Sequence, residues 1–143
     1  MIIKKIPWQS ALPIRHTVLW PDKPVSFCIV EGDENAHHFG VFIKGQLVTV
    51  ASIYISGTKA RLRKFATLPD FQGQGLGSKL IIDILNQLKA LNIEVFWCDA
   101  RKTAISFYQK LGLKQQGSDF NKSGVLYIKM AVKLNNSLSI KSC

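Results

Sequence analysis

The stretch 65-FATLPDFQGQGLGSKLI-81 sets three glycines at alternate positions, Gly73, Gly75 and Gly77, between a strand-like apolar run and a helix-like one. Glycine loses more backbone freedom on folding than any other residue, so this spacing implies a need for bare main chain. The first turn of a helix carries N–H groups with no intrahelical partner and the positive end of the macrodipole. Together these bind phosphate oxygens. Glycines there let a pyrophosphate reach the main chain, while Ser78 offers a hydroxyl and Lys79 a charge. The competing explanation is a glycine-rich turn that only packs helix on sheet. Two nucleotide loops are rejected by spacing. A P-loop reads GxxxxGK[ST], and a GxGxxG fingerprint needs glycine where Ser78 stands. Pro69-Asp70-Phe71 also makes the connection longer than the tight first turn of a dinucleotide-binding unit.

Outward from this junction, periodicity predicts a mixed α/β order. Residues 10-SALPIRHTVLW-20 read as a short helix ended by 21-PDKP-24, and 25-VSFCIV-30 as a strand before the polar loop 31-EGDENA-36. The β-rich runs 37-HHFGVFI-43 and 46-QLVTVASIYI-55 flank Lys44-Gly45, which predicts an antiparallel hairpin. In 59-KARLRKFATL-68 basic and apolar residues alternate, as in a strand with one wet face, until Pro69 stops it. Leu76, Leu80, Ile81, Ile84, Leu85, Leu88 and Leu91 then recur at helical steps. A strand at 93–98, a short helix at 103–111 closed by Gly112, and a strand at 125–134 complete the order. Residues 1–134 are expected to form one domain, and 135–143 a frayed tail.

The 143 residues, 47% hydrophobic and 20% charged, are enough for one domain with a proper core. Runs such as 47-LVTVASIYI-55 fall well short of the roughly 20 residues that cross a bilayer, and MIIKKIPWQS lacks the apolar segment of a signal peptide. A cytoplasmic protein with no membrane partner is expected. Cys28, Cys98 and Cys143 show neither CxxC nor Cys/His ligand spacing, so reduced thiols and no metal site are expected. The net charge of +10, from 19 Lys and Arg against 9 Asp and Glu, suits nucleic acid, an acidic membrane or a small polyanion without choosing among them. Arg61, Arg63 and Lys64 on one strand suit phosphates, but aromatics in an RNA-stacking pattern are missing, which counts against nucleic acid.

Gln72-Gly73-Gln74-Gly75-Leu76-Gly77 satisfies R/Q-x-x-G-x-G/A, and Ala104-x-x-x-Tyr108-x-x-x-Gly112-Leu113 follows the pattern A-x-x-x-Y-x-x-x-G-F except at its last position. With these two motifs in this order, the chain resembles the GNAT superfamily of N-acyltransferases from about residue 38 to about residue 130. The segments 19-LWPDKP-24 and 97-WCDARKTAISFY-108 are similar to an uncharacterised bacterial subgroup of that superfamily. The resemblance implies a mixed, mostly antiparallel, twisted sheet, splayed in the middle and flanked by helices. It implies acetyl-CoA as acyl donor, its pantetheine pairing with main chain at Phe65, Ala66 and Thr67 and its pyrophosphate resting on residues 73 to 78. Gln72, Gln74, Leu76, Lys79, Ala104, Phe107 and Tyr108 complete the expected donor contacts. Lys79, Arg101, Lys102 and Lys110 are the cations expected near the donor phosphates.

The implied reaction is direct transfer of acetyl to an amine, either a small molecule or a peptide, with a homodimer allowed. Tyr108 matches the family tyrosine that faces the sulfur. A phenol of pKa about 10 protonating a thiolate of about 8.5 is uphill by roughly 2 kcal/mol, so a hydrogen bond to the leaving thiolate is the safer role. The family's glutamate base is missing from 59-KARLRKFATL-68, leaving His37, His38, Glu31, Asp33 and Asp99 as candidates, with His38 taken as catalytic. Arg101 stands where the family pattern has Asn, with Asp99 as a substitute donor contact, and Leu113 replaces Phe. Cys98 as an acyl-carrying nucleophile is disfavoured by the adjacent Asp99. The rival reading is a GNAT fold that holds acyl-CoA without catalysis.

Overall fold

The computed structural model describes residues 1–134; the expected frayed tail at 135–143 lies outside them. Seven strands are hydrogen-bonded in the order β1-β2-β3-β4-β5-β7-β6. These are β1 Ile2–Lys5, β2 His37–Ile43, β3 Gln46–Ser56, β4 Lys59–Thr67, β5 Val95–Arg101, β6 Lys114–Lys122 and β7 Val125–Lys133. Among the described residues three α-helices accompany them: α1 Trp8–Ile14, α2 Leu76–Ala90 and α3 Ile105–Lys110. The pairs β1–β2, β2–β3, β5–β7 and β6–β7 are antiparallel and β4–β5 is parallel, the mixed α/β sheet expected. The described residues divide into two compact units, Met1–Tyr54 with Arg63–Asp83, and Ile55–Leu62 with the described residues from Ile84 onward.

In the first unit, β2 and β3 form the predicted hairpin. Lys44 and Gly45, at φ 48° and 81°, supply the left-handed pair that a two-residue turn between twisted strands requires. Ala11 and Ile14 of α1, Val50 of β3 and Ala66 of β4 make a core lined by Ile6, Val18, Leu19, Leu47 and Leu68. The first helix starts at Trp8 and contains Pro13, then widens into a π turn over Arg15–Leu19. That turn keeps Arg15 facing inward, fully buried. The expected strand at 25–30 is a 3-10 turn over Val25–Cys28, bonded Phe27 N–H to Pro24 O and Ile29 N–H to Ser26 O. Its alternating apolar residues misled: Val25, Phe27 and Ile29 are exposed, and Cys28 and Val30 are buried. The expected loop at 31–36 holds a further 3-10 turn, Asp33–Asn35, entered through Gly32 at φ 91°.

In the second unit, β5 alternates strictly. Phe96, Cys98 and Ala100 are buried, whereas Val95, Trp97, Asp99 and Arg101 are half-buried on the other face. The β4 pairing joins Lys59–Leu62 to Val95–Cys98. Strand β5 runs from Val95 to Arg101 rather than over 93–98. Ile93 instead closes the end of α2, its N–H bonded to Leu88 O and Asn92 before it left-handed at φ 61°. The two unpredicted strands are β1, whose apolar residues are largely exposed, and β6, every residue of which is exposed. Neither carries the one-face burial that writes alternation into a sequence.

Candidate active site

The glycine junction lies in the first unit, and its three glycines have different physical causes. Gly73 and Gly75 adopt φ 76° and 78°, and a Cβ built on either meets open space. The helix begins immediately after, with the Lys79 N–H bonded to Gly75 O at 3.1 Å as its first i to i−4 bond. Helix geometry therefore leaves the N–H groups of Leu76, Gly77 and Ser78 without intrahelical partners. Gly77 is different. A Cβ there would stand 2.8 Å from Phe65 Cζ, so this glycine lets α2 lie against the Phe65 ring. The packing explanation and the phosphate explanation thus divide among the three positions.

Around the junction, Gln72 donates through Nε2 to Thr67 O at 2.9 Å, and Gln74 Nε2 reaches Asp70 O at 3.4 Å. The Thr67 hydroxyl pairs with that of Thr49 at 2.9 Å. Ala66 and Leu76 are buried, Phe65, Gly77 and Ser78 half-buried, and Lys79 is exposed. Lys64, just before Phe65, is left-handed at φ 55°, which interrupts the extended course of β4.

His38 of β2 lies in a buried polar cluster of the same unit. Its Nε2 donates to Asp33 O at 2.8 Å, which leaves Nδ1 to accept from the Ser52 hydroxyl at 2.7 Å. Arg15 holds the cluster together. It reaches both carboxylate oxygens of Asp33 at 2.9 and 3.0 Å, Ser52 Oγ at 3.0 Å and Cys28 O at 3.0 Å. Burial pulls the Asp33 carboxyl upward, but bonds from Arg15, the Tyr54 hydroxyl and the Val30 N–H outweigh it and set its pKa below the ordinary value. Tyr54 moves the other way, raised by burial and by its bond to Asp33. His37 is half-buried, and burial followed by the nearby Lys5 lowers its pKa. Nothing in the sequence singled out Arg15, because buried arginine has no local signature.

In the second unit, Tyr108 of α3 is buried and its O–H donates to the Cys98 sulfur. Burial, then the neighbouring Cys98, lifts the phenol well above its usual pKa. Burial and Asp99 push the Cys98 thiol up to about 12, so its nucleophilic form is suppressed. The Phe107 ring meets Tyr108 edge-on at 5.1 Å, and Ala104 forms the N-terminal boundary of α3. Asp99 points away from the Cys98 face and is held by Arg61 Nη2 at 2.9 Å. The structure thus joins Tyr108 to Cys98 and Asp99 to Arg61, and it separates the two pairs onto opposite faces of β5. Lys102, one of the cations expected for the donor phosphates, is bonded to Asp119 at 2.6 Å.

Comparison with known proteins agrees with this architecture. Residues 24–134 match the family model described as an acetyltransferase (GNAT) domain. The chain is 32% identical over 132 residues to the uncharacterized N-acetyltransferase YitI of Bacillus subtilis, covering 86% of this chain and 89% of that one. It is 27% identical over 103 residues to the [ribosomal protein bS18]-alanine N-acetyltransferase of Escherichia coli, covering 70% of this chain and 68% of the relative. In structure it resembles the ribosomal-protein-S18-alanine N-acetyltransferase of Escherichia coli, with a TM-score of 0.80, 19% identity and 94% of each chain covered. It also resembles a Bacillus subtilis acetyltransferase in complex with CoA, with a TM-score of 0.73, 16% identity, and 93% of this chain and 98% of that one covered. By its two motifs, its sheet and these matches, the chain belongs to the GNAT acetyltransferase family.

Proposed function

We propose that this protein transfers the acetyl group of acetyl-CoA to a primary amine on a small molecule or peptide, in the cytoplasm. The observation that carries the reading is the junction before α2, where Gly73 and Gly75 are left-handed with open space beside them. The Leu76, Gly77 and Ser78 amides that follow have no helical partner. This arrangement fits a diphosphate: no side chain blocks approach to the main chain, and the helix N-terminus favours negative charge. Gln72 braces the loop by holding Thr67 O, and Lys79 adds an exposed cation. Phe65, Ala66 and Thr67 offer β4 main chain to the pantetheine, Gln74 and Leu76 border the loop, and Ala104 and Phe107 flank Tyr108.

The bound donor supplies an activated thioester. The acceptor nitrogen lone pair adds to its carbonyl carbon, the C–S bond breaks, and the sulfur leaves with the electron pair. The surplus proton on nitrogen passes to water. Tyr108 is assigned the hydrogen bond to that sulfur, its one O–H turning from the Cys98 sulfur to the leaving thiolate. Its raised pKa makes it a poor proton donor yet leaves its O–H fully protonated for such a bond. A hydrogen bond to a charged group contributes about 1.5–3 kcal/mol, so Tyr108→Phe is expected to lower kcat by about 10- to 100-fold without weakening donor binding. Acetyl-CoA at 100 times its dissociation constant is expected to stabilise the fold by about 2.7 kcal/mol in a thermal melt. A melt unmoved by saturating acetyl-CoA rules the reading out. A Tyr108→Phe enzyme with unchanged turnover removes only that residue's role.

The need for a base depends on the acceptor. Freeing an amine of pKa about 8 at pH 7 costs only about 1.4 kcal/mol, against about 4.6 for a lysine side chain. Both ring nitrogens of His38 are engaged, so we assign it to positioning the 3-10 turn at Asp33 rather than to proton abstraction. His38→Gln is then expected to lower the melting temperature while leaving the pH profile of kcat/KM in place. Loss of a limb of that profile would return His38 to the role of base.

A further inference from the structure

The second unit carries a cavity of about 540 Å³ lined by Lys59, Lys114, Lys129 and Lys133, with Val95, Trp97, Gln116, Ala131 and Val132 among its walls. The strand registers show how the charges come together. Lys59 pairs with Val95 and Val95 with Lys133, forming one row across three strands. Arg61, Trp97, Ala131 and Lys114 form the next row, and Asp99, Lys129 and Gln116 the one after. Alternation along each strand puts these rows on one face, opposite Phe96 and Cys98. Neighbouring strands lie about 4.8 Å apart, so Lys59 and Lys133 rise about 10 Å from each other on either side of Val95.

Among the described residues no carboxylate lines this cavity, and Asp99, the acid of the third row, is already taken by Arg61. Like charges this close repel, and that repulsion is relieved by a bound anion. The cavity lies in the size range of small-molecule sites, about 300–1,000 Å³. Its single aromatic is not an open stacking platform. Arg61 and Lys129 each lie over the Trp97 ring at 4.6 Å from its centroid. Recognition there rests on charge against an apolar floor, which suits a compact multiply charged anion better than the bases of a nucleic acid.

We propose that this face of β4, β5, β7 and β6 is a binding site for a small polyanion bearing a linear polyphosphate group, distinct from the diphosphate loop at residues 73–79. The probe is tripolyphosphate, titrated into the full chain with CoA present at saturation to occupy the loop. Binding is read from the indole resonances of Trp8, Trp20 and Trp97 in a two-dimensional amide spectrum. The Trp97 resonance is expected to shift while those of Trp8 and Trp20 stay in place, and Lys59→Gln with Lys133→Gln is expected to weaken the apparent affinity at least 10-fold. A Trp97 resonance that tripolyphosphate leaves unmoved overturns the proposal, as does affinity unchanged in the double variant. A 12-nucleotide RNA that binds the same lysines more tightly than tripolyphosphate also overturns it, in favour of a nucleic-acid face. Failure of CoA to bind is read separately, from the amides of residues 73–79, and counts against the acetyl-transfer reading instead.

Discussion

Arg15 is fully buried, and its charge is tolerated because Asp33, Ser52 and the Cys28 carbonyl surround its guanidinium. Breaking one half of such a pair leaves an uncompensated charge inside the protein, which costs about 3–5 kcal/mol, whereas removing both halves together costs far less. Arg15→Met is therefore expected to destabilise by that amount in urea unfolding, and Arg15→Met with Asp33→Asn by distinctly less than the sum of the single effects. Additive losses would mean that the pair is not coupled. The same bonds set a pH dependence. Because Asp33 has a lower pKa folded than its ordinary 3.8, its contribution is complete above that unfolded value and is lost as pH falls through the folded one. A carboxyl carbon titration is expected to show Asp33 still ionised at pH 3.8. None of this was legible in the sequence. His38 and Asp33 stood out there as candidate bases because of their chemistry, whereas the side chains that hold them lie far along the chain, Ser52 14 residues from His38, and Arg15 and Tyr54 18 and 21 residues from Asp33; only the Val30 N–H and the Asp33–His38 link are local.

At the scale of elements, legibility followed burial. Strands β2 and β3 are buried on both faces and read as continuous β-rich runs, and helix α2 shows its apolar stripe at helical period. Strand β6, KQQGSDFNK, is an edge strand paired with β7, and its exposed side chains carry no alternation that would mark it. The segment at 25–30 failed in the opposite way, since it is apolar like a strand but opens with a 3-10 turn that leaves Val25, Phe27 and Ile29 exposed and only Cys28 and Val30 buried. The glycine junction joins both lessons. Its motif spacing was visible, yet the separate reasons for its glycines depend on where β4 and α2 meet. Gly77→Ala puts a methyl group against the Phe65 ring, so it is expected to destabilise by about 1–3 kcal/mol as that ring is displaced. Gly75→Ala meets no atom and loses only the left-handed preference, about 1–2 kcal/mol, but brings a side chain to the main chain proposed to hold the diphosphate. The first substitution should therefore act mainly on unfolding in urea. The second should act mainly on acetyl-CoA affinity, measured by calorimetry, and equal affinity losses from the two would remove the distinction.

Across the whole molecule the balance of charge is the feature least explained by acetyl transfer. The net charge is +10, and of the nine acidic residues Asp33, Asp99 and Asp119 are committed to ion pairs with Arg15, Arg61 and Lys102. The loop proposed to hold the diphosphate has one exposed lysine, Lys79, so most of the surplus lies elsewhere and repels itself. Screening shortens the reach of that repulsion from about 30 Å at 0.01 M salt to about 8 Å at 0.15 M. The urea midpoint at pH 7 is therefore expected to rise as sodium chloride is raised over that range. Lys59→Gln with Lys133→Gln should raise the low-salt midpoint and flatten the salt dependence, because it removes two members of an unneutralised cluster. A midpoint that falls with salt would show that attraction between paired charges outweighs the repulsion. If the double variant is more stable yet loses tripolyphosphate, the lysines oppose folding and serve binding. That pattern belongs to a site rather than to a merely soluble surface.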